Sequence, residues 1–142
     1  MDSLPRQLDP DDYDKGHLTL LAQLSPFDTT AVSKQAYSAF TQSVAGRNVW
    51  VVEADGRIIA TGTLLVEPKL IHCLSAVGHI EDIVVAAEYR GQGLGRTMID
   101  HLVVTAKQAG CYKVILDCND QTTPFYERCG FARRGNVMAV YF

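Results

Sequence analysis

Between Arg90 and Arg96 three glycines alternate with other residues, Arg90-Gly91-Gln92-Gly93-Leu94-Gly95-Arg96, where an extended run gives way to a helical one. Such a turn can surround an anion: glycine lets the backbone approach closely, and successive N–H groups converge with the positive end of a helix on a phosphate. Spacing excludes two phosphate cradles. A dinucleotide fingerprint needs Gly-x-Gly-x-x-Gly, and its last position falls on Arg96 counted from Gly91, or on Met98 counted from Gly93. Asp117 stands where a ribose-binding acid would, but too little chain follows for the rest of such a sheet. A P-loop needs Gly-Lys-Ser or Gly-Lys-Thr after four spacers, and neither is present.

The thiols and imidazoles point away from metal chemistry. Cys73, Cys111, Cys118 and Cys129 include no Cys-x-x-Cys pair, and no two Cys or His are spaced to share a zinc site, so no metal is expected. The four cysteines are expected to be reduced, buried small hydrophobes. Cys118 and Cys111 raise the idea of an acyl-cysteine intermediate, but no His or Asn is placed to activate either.

The elements that must position the turn are legible from periodicity. Leu4–Leu8 reads as a first strand, and Asp9-Pro10-Asp11-Asp12 as a capped entry to a helix running to about Leu24, stopped by Pro26. From Thr29 a second helix aligns Val32, Ala36, Phe40 and Val44 on one face, with Gly46 closing it. Val49–Ala54 and Arg57–Val66 form a hairpin about Asp55-Gly56. An extended pair is expected after Pro68, its second member ending at Val85. A helix follows from Gly93 to Ala109 with Leu94, Met98, Leu102 and Ala106 in one stripe, stopped by Gly110. Lys113–Cys118 alternates as a strand, Thr123–Arg128 is a short helix, and Asn136–Phe142 reads as a last strand. The order is α/β (α+β): helices, an antiparallel meander, then one β-α-β crossover, with no repeat or linker, so residues 1–142 form one domain.

Arg90-x-x-Gly93-x-Gly95 is the pyrophosphate signature of the GCN5-related N-acetyltransferase (GNAT) superfamily. Gly78–Val85, Gly91–Gly95, Cys111–Cys118 and Phe125–Phe131 together resemble its glucosamine 6-phosphate N-acetyltransferases, closely from Thr61 to Phe131 and loosely in the N-terminal third. The resemblance implies the GNAT fold, a mixed and mostly antiparallel sheet flanked by helices. It also implies transfer of acetyl from acetyl-CoA to the 2-amine of D-glucosamine 6-phosphate, a step toward UDP-N-acetylglucosamine, by direct attack in a ternary complex. Acetyl-CoA is then a co-substrate and no cofactor is tightly bound.

Residue by residue, the resemblance assigns the cofactor to Ile83, Val84 and Val85, whose backbone N–H groups face the acetyl carbonyl, and to Arg90, Gly91, Gln92, Gly93, Leu94, Gly95, Arg96, Asp117 and Tyr126. Tyr126 is the general acid for the departing thiolate. Strand alternation puts adjacent Glu81 and Asp82 on opposite faces, whereas the resemblance places both around the sugar, with Ile83. Glu81 also relays the amine proton through water, and Asp117 orients the amine. Lys69, His72 and Lys113, beside Tyr112, form the anion site for the sugar phosphate, and Ser25 closes over the sugar. The family's last strand carries a basic residue that reaches the partner subunit's phosphate; Tyr141 stands there, so either Arg133 or Arg134 substitutes or fewer charges serve. A homodimer whose last strands pack or swap is implied. Other readings are acetyl transfer to another small amine or a peptide amine, or a CoA-binding module without catalysis.

Composition agrees with a small soluble domain. Hydrophobic residues are 47% and charged ones 20% of 142 residues, with thirteen Lys+Arg against sixteen Asp+Glu for a net charge of -3. Without a basic block, nucleic acid is not an expected partner. The longest apolar runs fall far short of the ~20 residues that span a bilayer, so no membrane association is expected. The opening Met1-Asp2-Ser3-Leu4-Pro5-Arg6 lacks the apolar segment of a secretory signal, so an intracellular, by default cytoplasmic, location is expected.

Overall fold

The structure, a computed structural model, describes residues 4–142; Met1 to Ser3, part of the stretch read for a leader, lie outside the described residues. Five strands make one sheet in sequence order: β1 (Arg6–Gln7), β2 (Val49–Ala54), β3 (Arg57–Pro68), β4 (Ala76–Val85) and β5 (Cys111–Leu116). The first three pairings are antiparallel and β4–β5 is parallel, so the crossover between β4 and β5 lies where periodicity put it. Asp55 and Gly56 both have positive φ, 50° and 74°, the mirror-image turn that suits strand twist.

That crossover is α4 (Leu94–Gln108), and its stripe is the core: Met98, Ile99, Leu102 and Ala106 are fully buried and Leu94 nearly so. α1 (His17–Leu24) covers the other face of the sheet. Successive residues of β3 show the two sides: Thr61 meets His17, whereas Gly62 faces Met98 and Leu102. Asp9 caps a 3₁₀ turn, Pro10–Lys15, in a reciprocal box with Asp12, and Gly16 at φ 81° separates that turn from α1. The expected first helix is therefore two pieces. Asp12 is wholly buried and receives both arms of Arg6 at 2.8 and 3.0 Å, while Arg6 also reaches Glu53 at 2.6 Å, which pins the two-residue β1.

Four expectations fail. The second helix, α2, spans only Lys34–Thr41 and buries Tyr37 and Thr41, leaving Phe40 and Val44 exposed. Ser33 caps it, which puts Val32 outside, and the Tyr37 hydroxyl reaches into the core for His17. Gly46 lies after the helix, where a Cβ would collide with the Phe40 carbonyl. After Pro68 a turn of helix, α3 (Ile71–Leu74), replaces the first member of the extended pair, with His72, Cys73 and Leu74 all left-handed. Asn136–Phe142 forms no strand and its apolar side chains are exposed, because no edge of this single chain pairs with it among the described residues. None of the four cysteines is buried: Cys73 and Cys118 are exposed, Cys111 and Cys129 half-buried. Among the described residues no helix is long and apolar enough to cross a membrane.

Candidate active site

The glycine turn is built by the end of β4. Ala86 donates to the Ile59 carbonyl at 2.8 Å, a 3₁₀ turn spans Ala87–Tyr89, and Arg90 folds back so that its Nε donates to the Val85 carbonyl at 3.0 Å. Gly91 and Gly93 are left-handed, with φ 80° and 85°, a conformation costly for any residue with a Cβ. Among the described residues no side chain caps α4, so its first amides and positive end can receive an anion. Gly95 has a different reason: a Cβ there would lie 3.2 Å from the Phe125 ring, so it lets α5 (Thr123–Arg128) pack close. Leu94 is buried, so only its backbone can meet a ligand. Arg96 is committed within the protein, its Nε to Asp100 at 3.0 Å and Nη1 to the Arg128 carbonyl at 2.8 Å.

Behind this turn β4 is irregular. Thr61 pairs with Val84 and Thr63 with Glu81, so Gly62 alone opposes Asp82 and Ile83. This bulge carries Asp82 at φ 53°. Regular strand alternation does not run through Asp82, which lies inside the bulge beside Glu81, and both residues are exposed. Pairing of β4 with β5 stops at Ile80 with Leu116. From Glu81 to Val85 the β5-facing edge of β4 has no strand partner among the described residues, and its backbone groups point into the opening.

Asp117 follows β5 as an exposed residue, one position beyond the strand end. Asn119 caps the chain into α5, its side-chain oxygen accepting from the Thr122 amide at 2.9 Å. Tyr126 on α5 is half-buried and set edge-on to Phe125 and Phe131, with centroids 5.0 and 6.1 Å away. Burial first, then the nearby Cys118 and Cys129 thiols, raise its pKa above that of an ordinary phenol, which keeps it protonated. Cys118 Sγ lies 3.7 Å from the Thr123 hydroxyl, and burial pushes the Cys111 and Cys129 thiols up, away from nucleophilic thiolate.

Two of the three expected anion-site cations share the Tyr112 ring. His72 stacks on Tyr112, centroids 4.0 Å apart at 27°, and Lys113 Nζ is 5.6 Å from the same ring centre. Lys69 heads the same loop: its amide bonds the Ser75 carbonyl at 3.0 Å, while its ammonium lies 3.2 Å from Glu67, which also takes His79 Nε2 at 3.0 Å. Those two partners lower the Glu67 pKa, His79 more than Lys69. Ser25, the C-cap of α1, is exposed and joined to none of these, although α1 is tied to the turn through Gln23, whose Oε1 accepts from the Ala87 amide at 3.1 Å. Arg133 is taken by Asp120 at 3.0 Å and Arg134 by the Arg133 carbonyl, while Tyr141 is fully exposed.

The Acetyltransferase (GNAT) family model matches residues 17–131, most of the chain. The chain belongs to that family. It is 44% identical to "Probable glucosamine 6-phosphate N-acetyltransferase 2" of Oryza sativa subsp. japonica over 96% of this chain and 86% of the relative. It is 43% identical to "Glucosamine 6-phosphate N-acetyltransferase 1" of Dictyostelium discoideum over 96% and 88%. Among solved structures, glucosamine-6-phosphate N-acetyltransferase from Arabidopsis thaliana superposes with a TM-score of 0.90 at 35% identity, covering 97% of both chains. The likeness therefore extends through the N-terminal third, and the fold is the GNAT fold.

Two features of this GNAT chain went unread in the sequence. Glu67 carries no motif, and only the β3–β4 pairing brings it to His79. The other is a buried polar chain beneath β3. Thr61 donates its one proton to the Trp50 carbonyl at 3.0 Å, so its oxygen accepts from His17 Nε2–H, also at 3.0 Å, and His17 Nδ1 accepts from the Tyr37 hydroxyl at 2.7 Å. Burial pushes the His17 pKa down to about 4, against the opposing pull of Asp12, so the ring is neutral. The four-residue spacing of Tyr37 and Thr41 was a sign that the polar-looking face of α2 is the buried one.

Proposed function

We propose that this chain moves acetyl from acetyl-CoA to the 2-amine of D-glucosamine 6-phosphate, a step toward UDP-N-acetylglucosamine. The observation that carries the chemistry is the bulged, unpaired edge of β4 running directly into a left-handed glycine turn and an uncapped helix. That edge offers amides to a thioester oxygen and the turn offers amides to a pyrophosphate, one after the other along the chain. The names carried by the relatives of 41–44% identity supply the sugar.

In this reading the neutral amine attacks the thioester carbon while both substrates are bound. The C–N bond forms, and the charge on oxygen is met by the amides of Ile83 to Val85. Collapse breaks the C–S bond, and Tyr126, a neutral phenol at the pH of the reaction, gives its proton to the departing thiolate. The surplus amine proton leaves through water to Glu81, with Asp117 orienting the amine and Asp82 lining the sugar. His72 and Lys113 on the Tyr112 ring, with Lys69 from the same loop, receive the phosphate. Arg96 serves by bracing α4 against α5, since its guanidinium is already engaged. The reading includes one domain over residues 1–142, an intracellular location, and a homodimer in which residues Asn136–Phe142 pack against or swap into the partner, where Tyr141 meets the shared site.

Thiol release from acetyl-CoA, measured with glucosamine 6-phosphate, glucosamine, spermidine and a lysine peptide as acceptors, tests the substrate class. Release with the phosphorylated sugar at least tenfold above the others supports the reading. Release only with the peptide or polyamine overturns it in favour of another acetyltransferase, and release with none overturns it in favour of a CoA-binding module.

A further inference from the structure

Gly62 is the residue of β3 that stands alone against two residues of β4, Asp82 and Ile83. Its backbone is not left-handed, so conformation does not call for glycine there. Space does: a Cβ at Gly62 would lie 2.6 Å from Ile83 Cδ1, 3.0 Å from Met98 Cγ and 3.1 Å from Leu102 Cδ1. Met98 and Leu102 are fully buried, but at 3.0 and 3.1 Å they need give by only a few tenths of an ångström, whereas the 2.6 Å approach to Ile83 forces a larger shift. Ile83 is half-buried, follows the left-handed Asp82, and sits where β4 has lost its β5 partner. It is the one of the three side chains that would yield. On the opposite face Thr61 is bolted by His17 and the Trp50 carbonyl, so β3 itself does not give way.

We propose that Gly62 is a positioning residue for acyl transfer: its missing side chain leaves the recess that seats Ile83, and the seated Ile83 fixes the direction in which the bulge amides of Ile83 to Val85 point. The inference rests on the reading that those amides receive the thioester oxygen. A shift well under an ångström is enough to matter, since misplacement by about 1 Å can cost on the order of 100-fold in rate.

The test is a double-mutant cycle read by kinetics and by amide NMR. Gly62→Ala is expected to lower kcat about tenfold, with KM for both substrates changing less than twofold, and to shift the amide resonances of Ile83, Val84 and Val85. On an Ile83→Val background, which removes Cδ1, the same Gly62→Ala change is expected to alter kcat less than twofold. Unmoved amide resonances in Gly62→Ala overturn the positioning role whatever the rate does. Moved resonances with unchanged kcat overturn instead the reading that these amides serve the acyl group, and the proposal falls with it. An equal loss of kcat on both backgrounds shows that Ile83 is not the intermediary and also overturns it. Where Gly62→Ala does not fold, the double variant is expected to fold and to match Ile83→Val in kcat, and failure to do so counts against the proposal.

Discussion

At the scale of single residues the account rests on where protons sit. Tyr126 is a phenol, neutral at physiological pH, and burial raises its pKa further, so it carries a proton that a departing thiolate can take. Tyr126→Phe, which keeps the packing against Phe125 and Phe131, is expected to lower kcat on the order of 100-fold, with KM changed less than twofold, in steady-state thiol-release assays. Cys118→Ala is expected to keep most of its turnover; a severe loss, with acetyl trapped on the thiol of the native protein, would argue for a covalent route. His17 governs stability rather than rate. Above pH 6.5 the ring is neutral both folded and unfolded. Between pH 6.5 and 4 the unfolded chain takes up a proton that the buried ring refuses, so stability falls with pH, by about 3 kcal/mol at pH 4. Asp12 extends the decline below pH 3.8: burial raises its pKa, but the Arg6 and Asp9 hydrogen bonds outweigh that and leave it lowered. Urea unfolding at pH 7 and pH 4.5 measures the slope, and His17→Gln is expected to flatten it between those values.

At the scale of elements the glycine turn separates from the bulge it follows. Gly93→Ala forces a Cβ into a left-handed position at φ 85°, a conformation that costs about 1–2 kcal/mol. It is expected to raise KM for acetyl-CoA about tenfold, with little change in KM for the sugar; equal changes in both would mean that the turn is not the cofactor's. The turn, the α4 stripe and the Thr123–Arg128 helix were legible because local chemistry decides them: alternating glycines, a period of about four, and a proline at the first helical turn. What was not legible depends on partners distant in sequence. The regular alternation of β4 breaks at Asp82 and Ile83 because β3 is one residue short opposite them, and no hydrophobic period records that. The buried face of α2 is chosen by a hydrogen bond to His17 rather than by Phe40 and Val44. Loop 69–75 adopts three left-handed residues around the His72–Tyr112 stack, where the residue types alone suggested an extended strand.

At the scale of the whole molecule the outstanding feature is the tail. Val137, Met138, Val140 and Tyr141 are each more than half exposed, and β5 is the last strand of the sheet, with no strand on its outer side among the described residues. The proposed homodimer places those side chains against a second copy. Light scattering is expected to give a dimer for the native chain and a monomer with strongly reduced turnover when Val137 is replaced by a stop; an active native monomer would rule out the shared site. Net charge is slightly acidic at -3, so in the proposed reaction both anionic substrates would depend on local groups, the glycine turn for one and Lys69, His72 and Lys113 for the other. The central claim is direct transfer to one nitrogen, and carbon NMR of the product formed from carbonyl-¹³C acetyl-CoA and glucosamine 6-phosphate addresses it most directly. Stoichiometric label is expected in an amide on the sugar's 2-nitrogen, with none retained by the protein. Label appearing as free acetate, or on a cysteine of the protein before it reaches the sugar, would contradict it.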